Sequence, residues 1–114
     1  METLDALSAL RALGHENRLA AFRALVQAGL QGLAVGELRE RLGLPAATLS
    51  AHLNVLRAAG LVQDAREGRV IRVSADYARM NALLAYLTEN CCAGAGECAP
   101  ASNVCSPPSR GDRA

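Results

Sequence analysis

Apolar residues in the N-terminal half of the chain recur at the spacing of amphipathic helices. Thr3 is a suitable N-cap for a first helix, which the sequence Gly14-His15-Glu16 ends. Leucine recurs at every third position of this helix, at Leu4, Leu7, Leu10 and Leu13. A second helix follows and ends at Gly29, because glycine is common just past a helix C-terminus. One apolar face of this second helix is formed by Leu19, Phe22, Leu25 and Val26.

Two shorter helices are predicted next, joined by a tight turn. A glycine-containing loop over residues 30–34 leads to a third helix with Leu38 and Leu42 facing inward. The turn is Gly43-Leu44-Pro45, since proline is tolerated in the first turn of the helix that follows. The fourth helix covers about residues 46–59.

The apolar spacing changes to that of strands after Gly60. Short β-prone runs flank residues 64–69, and this pattern predicts a hairpin with Gly68 in its turn. Asp76 can then cap a last helix. Its broad apolar stripe consists of Tyr77, Met80, Leu83, Leu84 and Leu87.

The composition changes again at the C-terminal end of the chain. Glycine, alanine, proline, serine and cysteine dominate after Asn90, and few large apolar residues remain to form a core. We therefore expect a folded DNA-binding and dimerisation domain over residues 1–90 and a flexible, cysteine-containing tail over residues 91–114.

Two short helices, a tight turn and a following hairpin match a helix-turn-helix with a wing. Three leucines would hold the fourth helix in the core: Leu49, Leu53 and Leu56. Its other side carries small and polar residues suited to the major groove: Ala47, Ser50, Ala51, Asn54 and Arg57. The alanines allow close approach to the bases, and Ser50 and Asn54 can bond base edges or phosphates. Arg57 is better placed for a phosphate.

Further basic residues extend the candidate interface. Arg66 and Arg69 at the hairpin tip can reach the flanking DNA backbone or the minor groove. His52 lies near the edge of the buried stripe, where a packing or capping role and a phosphate contact are both open. An ordinary helical pair with a solvated polar face would share the helix pattern, but the hairpin and its arginines favour DNA binding.

The composition excludes several other classes of protein. Hydrophobic residues make up 51% of the 114 residues but aromatic residues only 3%, so aromatic stacking on single-stranded nucleic acid is not expected. All 12 basic residues are arginine, which suits phosphate and guanine, although the net charge is only +1. The longest charge-free stretch, residues 42–56, is too short and too polar to span a bilayer. The acidic N-terminus is unlike a secretory signal, and we expect a cytoplasmic protein with reduced cysteines.

A resemblance to a known family becomes specific in the helix-turn-helix region. Residues 42–62, followed by Arg66-Glu67-Gly68-Arg69 and preceded by Leu13-Gly14-His15-Glu16-Asn17-Arg18-Leu19, resemble the ArsR family of metal-responsive repressors. The resemblance covers roughly residues 4–92. It implies a mainly α (α+β) winged helix-turn-helix with about five helices and a β-hairpin wing. It also implies a homodimer on an inverted-repeat operator, with the first and last helices as the dimer interface.

The cysteines depart from the pattern of the founding members of that family. In those members, two cysteines at the start of the third helix bind arsenic, whereas this chain has Ala34-Val35-Gly36 there. Its four cysteines all lie later: Cys91, Cys92, Cys98 and Cys105. A cysteine pair after the last helix, with a third cysteine six residues on, resembles arsenic-responsive members whose site has moved to this end. The resemblance implies As(III), or Sb(III), as inducer on Cys91, Cys92 and Cys98, with no catalytic residue and no required cofactor.

Arsenite chemistry is compatible with these three positions. Arsenite is soft and takes three thiolates in a pyramid, while neighbouring side chains on a rigid helix point about 100° apart. The helix must therefore fray before Cys91 and Cys92, and the glycines at 94 and 96 would let Cys98 close the site. Cys105 is a spare in this arrangement.

Other interpretations of the cysteines remain open. A disulfide from Cys98 to Cys91 or to Cys105 would make the protein a thiol-redox sensor that binds DNA without a metalloid. A small reductase with Cys91 or Cys92 as nucleophile is less well supported, because the tail has no histidine to activate a thiol. Structural zinc sites usually use C-x2-C pairs, which are missing from this sequence.

Overall fold

The structure is a computed structural model that describes residues 1–91. This part of the chain forms five helices and a three-stranded antiparallel sheet of order β1-β3-β2. The elements are α1 (Thr3–Leu13), α2 (Glu16–Ala28), β1 (Leu33–Ala34), α3 (Val35–Leu42), α4 (Ala46–Ala58), β2 (Val62–Glu67), β3 (Val70–Ala75) and α5 (Tyr77–Leu87). The predicted winged helix-turn-helix with five helices is confirmed.

The turn between α3 and α4 has the predicted form. Gly43 ends α3 in the left-handed region at φ 67°, and its amide donates to the Arg39 carbonyl at 2.8 Å. Pro45 is the N-cap of α4, where its fixed φ fits and no backbone N–H is required. Both helices attach to the core through leucines that are almost completely buried: Leu38, Leu49, Leu53 and Leu56.

The N-terminal helix packs through alanine rather than leucine. Its buried residues are Ala6, Ala9 and Ala12, which let the α1 backbone approach α2 and α4 closely. Leu4, Leu7 and Leu10 are exposed instead, Leu4 at 78%, and Leu13 is half-buried against the core. Thr3 is the first helical residue and Glu2 is the N-cap, so the prediction that Thr3 caps the helix is wrong.

On α2, the predicted apolar face is correct only in its centre. Phe22 and Leu25 are buried together with two alanines, whereas Leu19 is 44% exposed. Because Ala21 and Ala24 are also buried, the face of α2 that packs in the core is displaced round the helix from the predicted one, and Leu19 lies outside it. Gly29 ends the helix at φ 83° as predicted.

The wing is longer and its turn tighter than the sequence suggested. Strands β2 and β3 pair without interruption from Val62 with Ala75 to Glu67 with Val70. The turn therefore contains only Gly68 and Arg69, and Gly68 has φ 64°, which the first turn position of a type II′ hairpin requires. The prediction of a turn region over residues 64–69 is corrected, because four of these residues belong to β2.

A third strand, β1, lies where the sequence predicted only a loop. Leu33 pairs with Val73 and Ala34 with Arg72. The guanidinium of Arg72 donates to the carbonyl oxygens of Gln31 at 3.1 Å and Gly32 at 3.2 Å. Gly32 is required here, because it has φ 65° and an added Cβ would overlap the Val73 carbonyl. These contacts fix the base of the wing.

The last helix begins as predicted, but it buries little of its apolar stripe in this chain. Asp76 caps α5 by accepting from the Arg79 amide at 3.0 Å. Only Leu83 of the stripe is buried, and Leu87 is 53% exposed. The helix ends before the cysteines. The predictions for Cys92, Cys98 and Cys105, and for the tail beyond Cys91, lie outside the described residues.

Candidate nucleic-acid interface

The exposed side of α4 is a continuous small and polar face. Ala47, Ser50, Ala51 and Asn54 are all exposed, and their spacing places them on one side of the helix. The opposite side is held by Leu49, Leu53 and Leu56, each at most 1% exposed. The helix is thus held firmly by the core, and its exposed face consists of short side chains, which suit a major groove.

Arg57, at the C-terminal end of this face, has two partners within the protein. Its Nε lies 2.9 Å from Oδ2 and 3.1 Å from Oδ1 of Asp64 on β2. Its Nη1 donates to Oδ1 of Asn54 at 2.8 Å. The phosphate contact predicted for Arg57 would therefore compete with these contacts. Sequence reasoning missed Asp64, because no local spacing indicates a partner on the following strand.

The two arginines assigned to the wing tip occupy different positions. Arg69 lies in the two-residue turn and is exposed, as predicted. Arg66 is also exposed but lies within β2, paired with Ile71, so its assignment to the tip is corrected. Since side chains alternate along a strand, Arg66 shares a face of β2 with Asp64.

His52 is half-buried at the edge of α4 and contacts another histidine. The ring centroids of His52 and His15 are 4.6 Å apart, with an angle of 46° between the ring planes. His15 is the N-cap of α2, and its Nδ1 accepts from the Asn17 amide at 3.1 Å. Burial lowers the pKa of His52, and the nearby His15 and Arg18 lower it further. The structure therefore shows a residue, His15, against which His52 packs, as one of the two roles left open by the sequence requires.

At the far end of α5, one of the predicted thiols lies within the described residues. Cys91 is exposed, and its amide donates to the Thr88 carbonyl at 2.9 Å. Asn90 has φ 59°, a left-handed conformation that a continuing helix does not allow. Within residues 1–91, no group of three or more His, Cys, Asp or Glu side chains is arranged to hold a metal ion. No helix in this range is long and apolar enough to cross a membrane.

Comparison with known proteins agrees with this geometry. Residues 13–64 match a family model described as a helix-turn-helix domain. The structure is similar to an ArsR-like transcriptional regulator from Rhodococcus sp. RHA1, with 31% sequence identity, coverage of 76% of this chain and 78% of that chain, and a TM-score of 0.66. The chain belongs to the ArsR family. It is therefore a transcriptional regulator with a winged helix-turn-helix DNA-binding fold.

Other solved structures resemble this regulator to a similar degree. HlyU from Vibrio cholerae N16961, which is also represented by a structure of its reduced form, shares 32% identity. That match covers 81% of this chain and 99% of HlyU, with a TM-score of 0.61. The homodimeric winged helix-turn-helix domain of Mb0332 from Mycobacterium bovis shares 28% identity over 75% of this chain and 80% of that chain, with a TM-score of 0.60. None of the curated protein sequences is significantly similar.

Proposed function

We propose that this ArsR-family regulator is an arsenite-responsive repressor that binds its operator as a homodimer and leaves it when trivalent arsenic is captured by thiolates. The observation that carries the arsenite part is the position of the helix end. Since α5 stops at Leu87 and Asn90 turns the backbone, Cys91 lies beyond the end of the helix, and Cys92 is the next residue in the sequence. Two adjacent thiols can converge on one arsenic atom only if they are not held on a rigid helix.

Operator binding would use the exposed face of α4 and the wing. Ala47 and Ala51 allow the helix backbone close to the bases, and Ser50 and Asn54 supply the polar contacts. Arg66 and Arg69 are exposed on the wing and suited to phosphates. His52 and Arg57 have intramolecular contacts, which makes them secondary candidates for contacts with DNA.

A homodimer is supported by apolar surface on the side that carries α1 and α5. The exposed residues there are Leu4, Leu7, Leu10, Leu19 and Leu87. Leu19 also lines an apolar groove of about 410 Å³, whose walls include Phe22, Val26, Met80 and Leu84. Several exposed leucines together with an apolar groove are typical of an interaction site. We assign it to a second copy of this chain, because the similar Mb0332 domain is described as homodimeric.

The arsenite site would consist of Cys91, Cys92 and Cys98. Their soft thiolates suit trivalent arsenic, and antimony in the same oxidation state would be accepted for the same reason. The site needs no resident cofactor, because the metalloid is the signal itself.

A direct physical link connects α5 to the DNA-reading helix. Arg79, in the first turn of α5, donates through Nε to the carbonyl of Ala59 at the end of α4, at 3.2 Å. Next to it, the amide of Asp76 donates to the Leu61 carbonyl at 2.8 Å. Closing the thiolate site would pull residues after Asn90 inward and shift α5. The linked α4 would follow, and this would change the spacing of the two recognition helices in the dimer.

Replacing single cysteines with serine tests the arsenite site. Serine keeps the shape of the residue but removes the soft ligand, so Cys91→Ser, Cys92→Ser and Cys98→Ser should each bind operator normally and no longer be released by arsenite. Cys105→Ser is the matched control and should respond as wild type. The measurement is fluorescence anisotropy of labelled operator, selected from random DNA by the wild-type protein. A hundredfold release corresponds to about 2.7 kcal/mol of differential affinity. If arsenite still releases Cys98→Ser from the operator but no longer releases Cys105→Ser, the third ligand is Cys105 and not Cys98.

A thiol-redox sensor is the second candidate function. It is favoured by the exposure of Cys91 and by the similarity to HlyU, which has been described in a reduced form. Such a sensor would release DNA on treatment with peroxide and would not respond to arsenite. An arsenite sensor would also show the ultraviolet absorption of arsenic–thiolate bonds at one metalloid per protomer. Release by peroxide alone, without this absorption, would favour the redox sensor.

A further inference from the structure

A line of polar contacts joins the wing to the exposed face of the recognition helix. The carboxylate of Asp64 on β2 holds Nε of Arg57, and Nη1 of Arg57 donates to Oδ1 of Asn54. We call these three residues the wing–helix link. The side chains of Arg57 and Asp64 are only about a third exposed, at 31% and 38%, so both are partly shielded from water.

The chemistry of the link determines how the Asn54 amide is oriented. A guanidinium can only donate hydrogen bonds, so the atom of Asn54 that faces Arg57 must be its oxygen. The NH2 group of Asn54 is then directed away from Arg57 and is available to bind DNA. Without Asp64, the guanidinium could leave this position, and the Asn54 amide could turn over and present its oxygen instead.

The orientation of the amide matters because the bases differ in what they present in the major groove. Guanine presents two acceptors, N7 and O6, whereas cytosine presents only an N4 donor. An asparagine that presents its NH2 group favours acceptors. An asparagine that is free to turn over discriminates less between the two bases.

We propose that Asp64 is a positioning residue for DNA recognition, which holds Arg57 so that Asn54 presents its NH2 group to acceptor-bearing base edges. Guanine is then preferred over cytosine at the base pair that Asn54 contacts. Arg57 acts within the protein as part of the link and adds no phosphate contact. This inference rests on the proposed function, since it requires that α4 reads operator DNA.

Base preference measured position by position tests the wing–helix link. Wild type, Asn54→Ala, Asp64→Asn and Glu67→Gln each select binding sites from random duplex DNA. Glu67 is the matched control, because it is an exposed carboxylate on the same strand whose replacement also removes one negative charge. We expect Asn54→Ala to lose at least about fivefold discrimination between guanine and cytosine at one position of each half-site. Asp64→Asn should lose it at the same position, and Glu67→Gln should keep it.

The salt dependence of binding separates positioning from a phosphate contact. If Arg57 acts only in the link, Arg57→Ala should leave the slope of affinity against salt unchanged. Retention of the wild-type preference by Asp64→Asn would overturn the inference while leaving the proposed function intact. So would a uniform loss of affinity across all sequences together with a lower melting temperature, because that result indicates a purely structural role. Failure of the wild-type protein to select any sequence would overturn the proposed function as well.

Discussion

The side of the molecule that presents α4 and the side that carries α1 and α5 expose different kinds of residue. On the side that we propose reads DNA, α4 buries all its leucines and exposes small and polar residues. In α1, alanines are buried and Leu4, Leu7 and Leu10 are exposed, whereas α5 buries Leu83 and exposes Leu87. A helix that enters a DNA groove must be packed firmly and must expose short side chains. A helix in a dimer interface instead needs exposed apolar residues that the second copy can bury. This difference supports the proposal that α4 reads DNA and that the side of α1 and α5 contacts a second copy of the chain.

The largest effect on operator affinity is expected from a charge placed on the side that carries α1 and α5. Leu87→Glu places a carboxylate in the surface that we assign to the dimer. Because Leu87 is 53% exposed, the fold of the single chain should tolerate the change. We expect a folded monomer whose operator affinity falls more than about a hundredfold, since two half-sites are no longer bound together.

A matched control exists beside the wing. Leu30 is 85% exposed in the loop between α2 and β1, so Leu30→Glu adds the same charge without touching α1 or α5. Sedimentation equilibrium gives the mass, and circular dichroism reports on the fold. A stable dimer of Leu87→Glu with normal operator binding would move the interface to another surface.

The contrast between the two sides also explains what the sequence could and could not predict. The sequence pattern of α4 was sufficient to predict its buried face, because the leucines lie on one side of the helix and the polar residues lie on the opposite side. In α1, Ala6 lies two residues after Leu4, or about 200° round the helix. Leu4 and Ala6 therefore face opposite ways, and hydrophobicity alone would bury the leucines. Which row is buried depends on how closely α2 and α4 approach, and this information is not local.

The missed features of the wing have a similar origin. β1 has only two residues, too few to show a period, and its conformation depends on Arg72 some forty residues away in sequence. Asp64 looked like part of a turn because its partner Arg57 is on the preceding helix. Gly43 and Gly68 were predictable, since left-handed backbone conformations at a helix end and in a tight hairpin turn favour glycine.

An intermediate effect is expected from the tip of the wing. Arg69 is exposed in the turn, and we propose that it contacts a phosphate. Arg69→Ala should weaken binding to all sequences alike and reduce the slope of log affinity against log salt by about 0.9. The measurement is anisotropy titration over a series of salt concentrations. An unchanged slope would remove Arg69 from the DNA interface and leave α4 as the reading element.

The smallest effect is expected at the contact between His52 and His15, where the DNA-reading helix meets α2. The pKa of His52 lies below its ordinary value of 6.5, first because of burial and then because His15 and Arg18 lie nearby. The unfolded chain therefore takes up a proton more readily than the folded one. The stability due to uncharged His52 is complete above pH 6.5 and is lost as the pH falls through the lowered pKa.

Replacing His52 tests both this sign and the role of His52 in DNA binding. His52→Gln should remove part of the acid sensitivity of the melting temperature, measured from neutral to mildly acidic pH. His15→Gln keeps His52 but removes one source of the lowered pKa, so its acid sensitivity should lie between those of wild type and His52→Gln. If His52 instead contacted a phosphate, the bound anion would favour its charged form, and operator affinity would rise as the pH falls. If wild type shows such a rise and His52→Gln does not, His52 contacts DNA and its role is not limited to packing against His15.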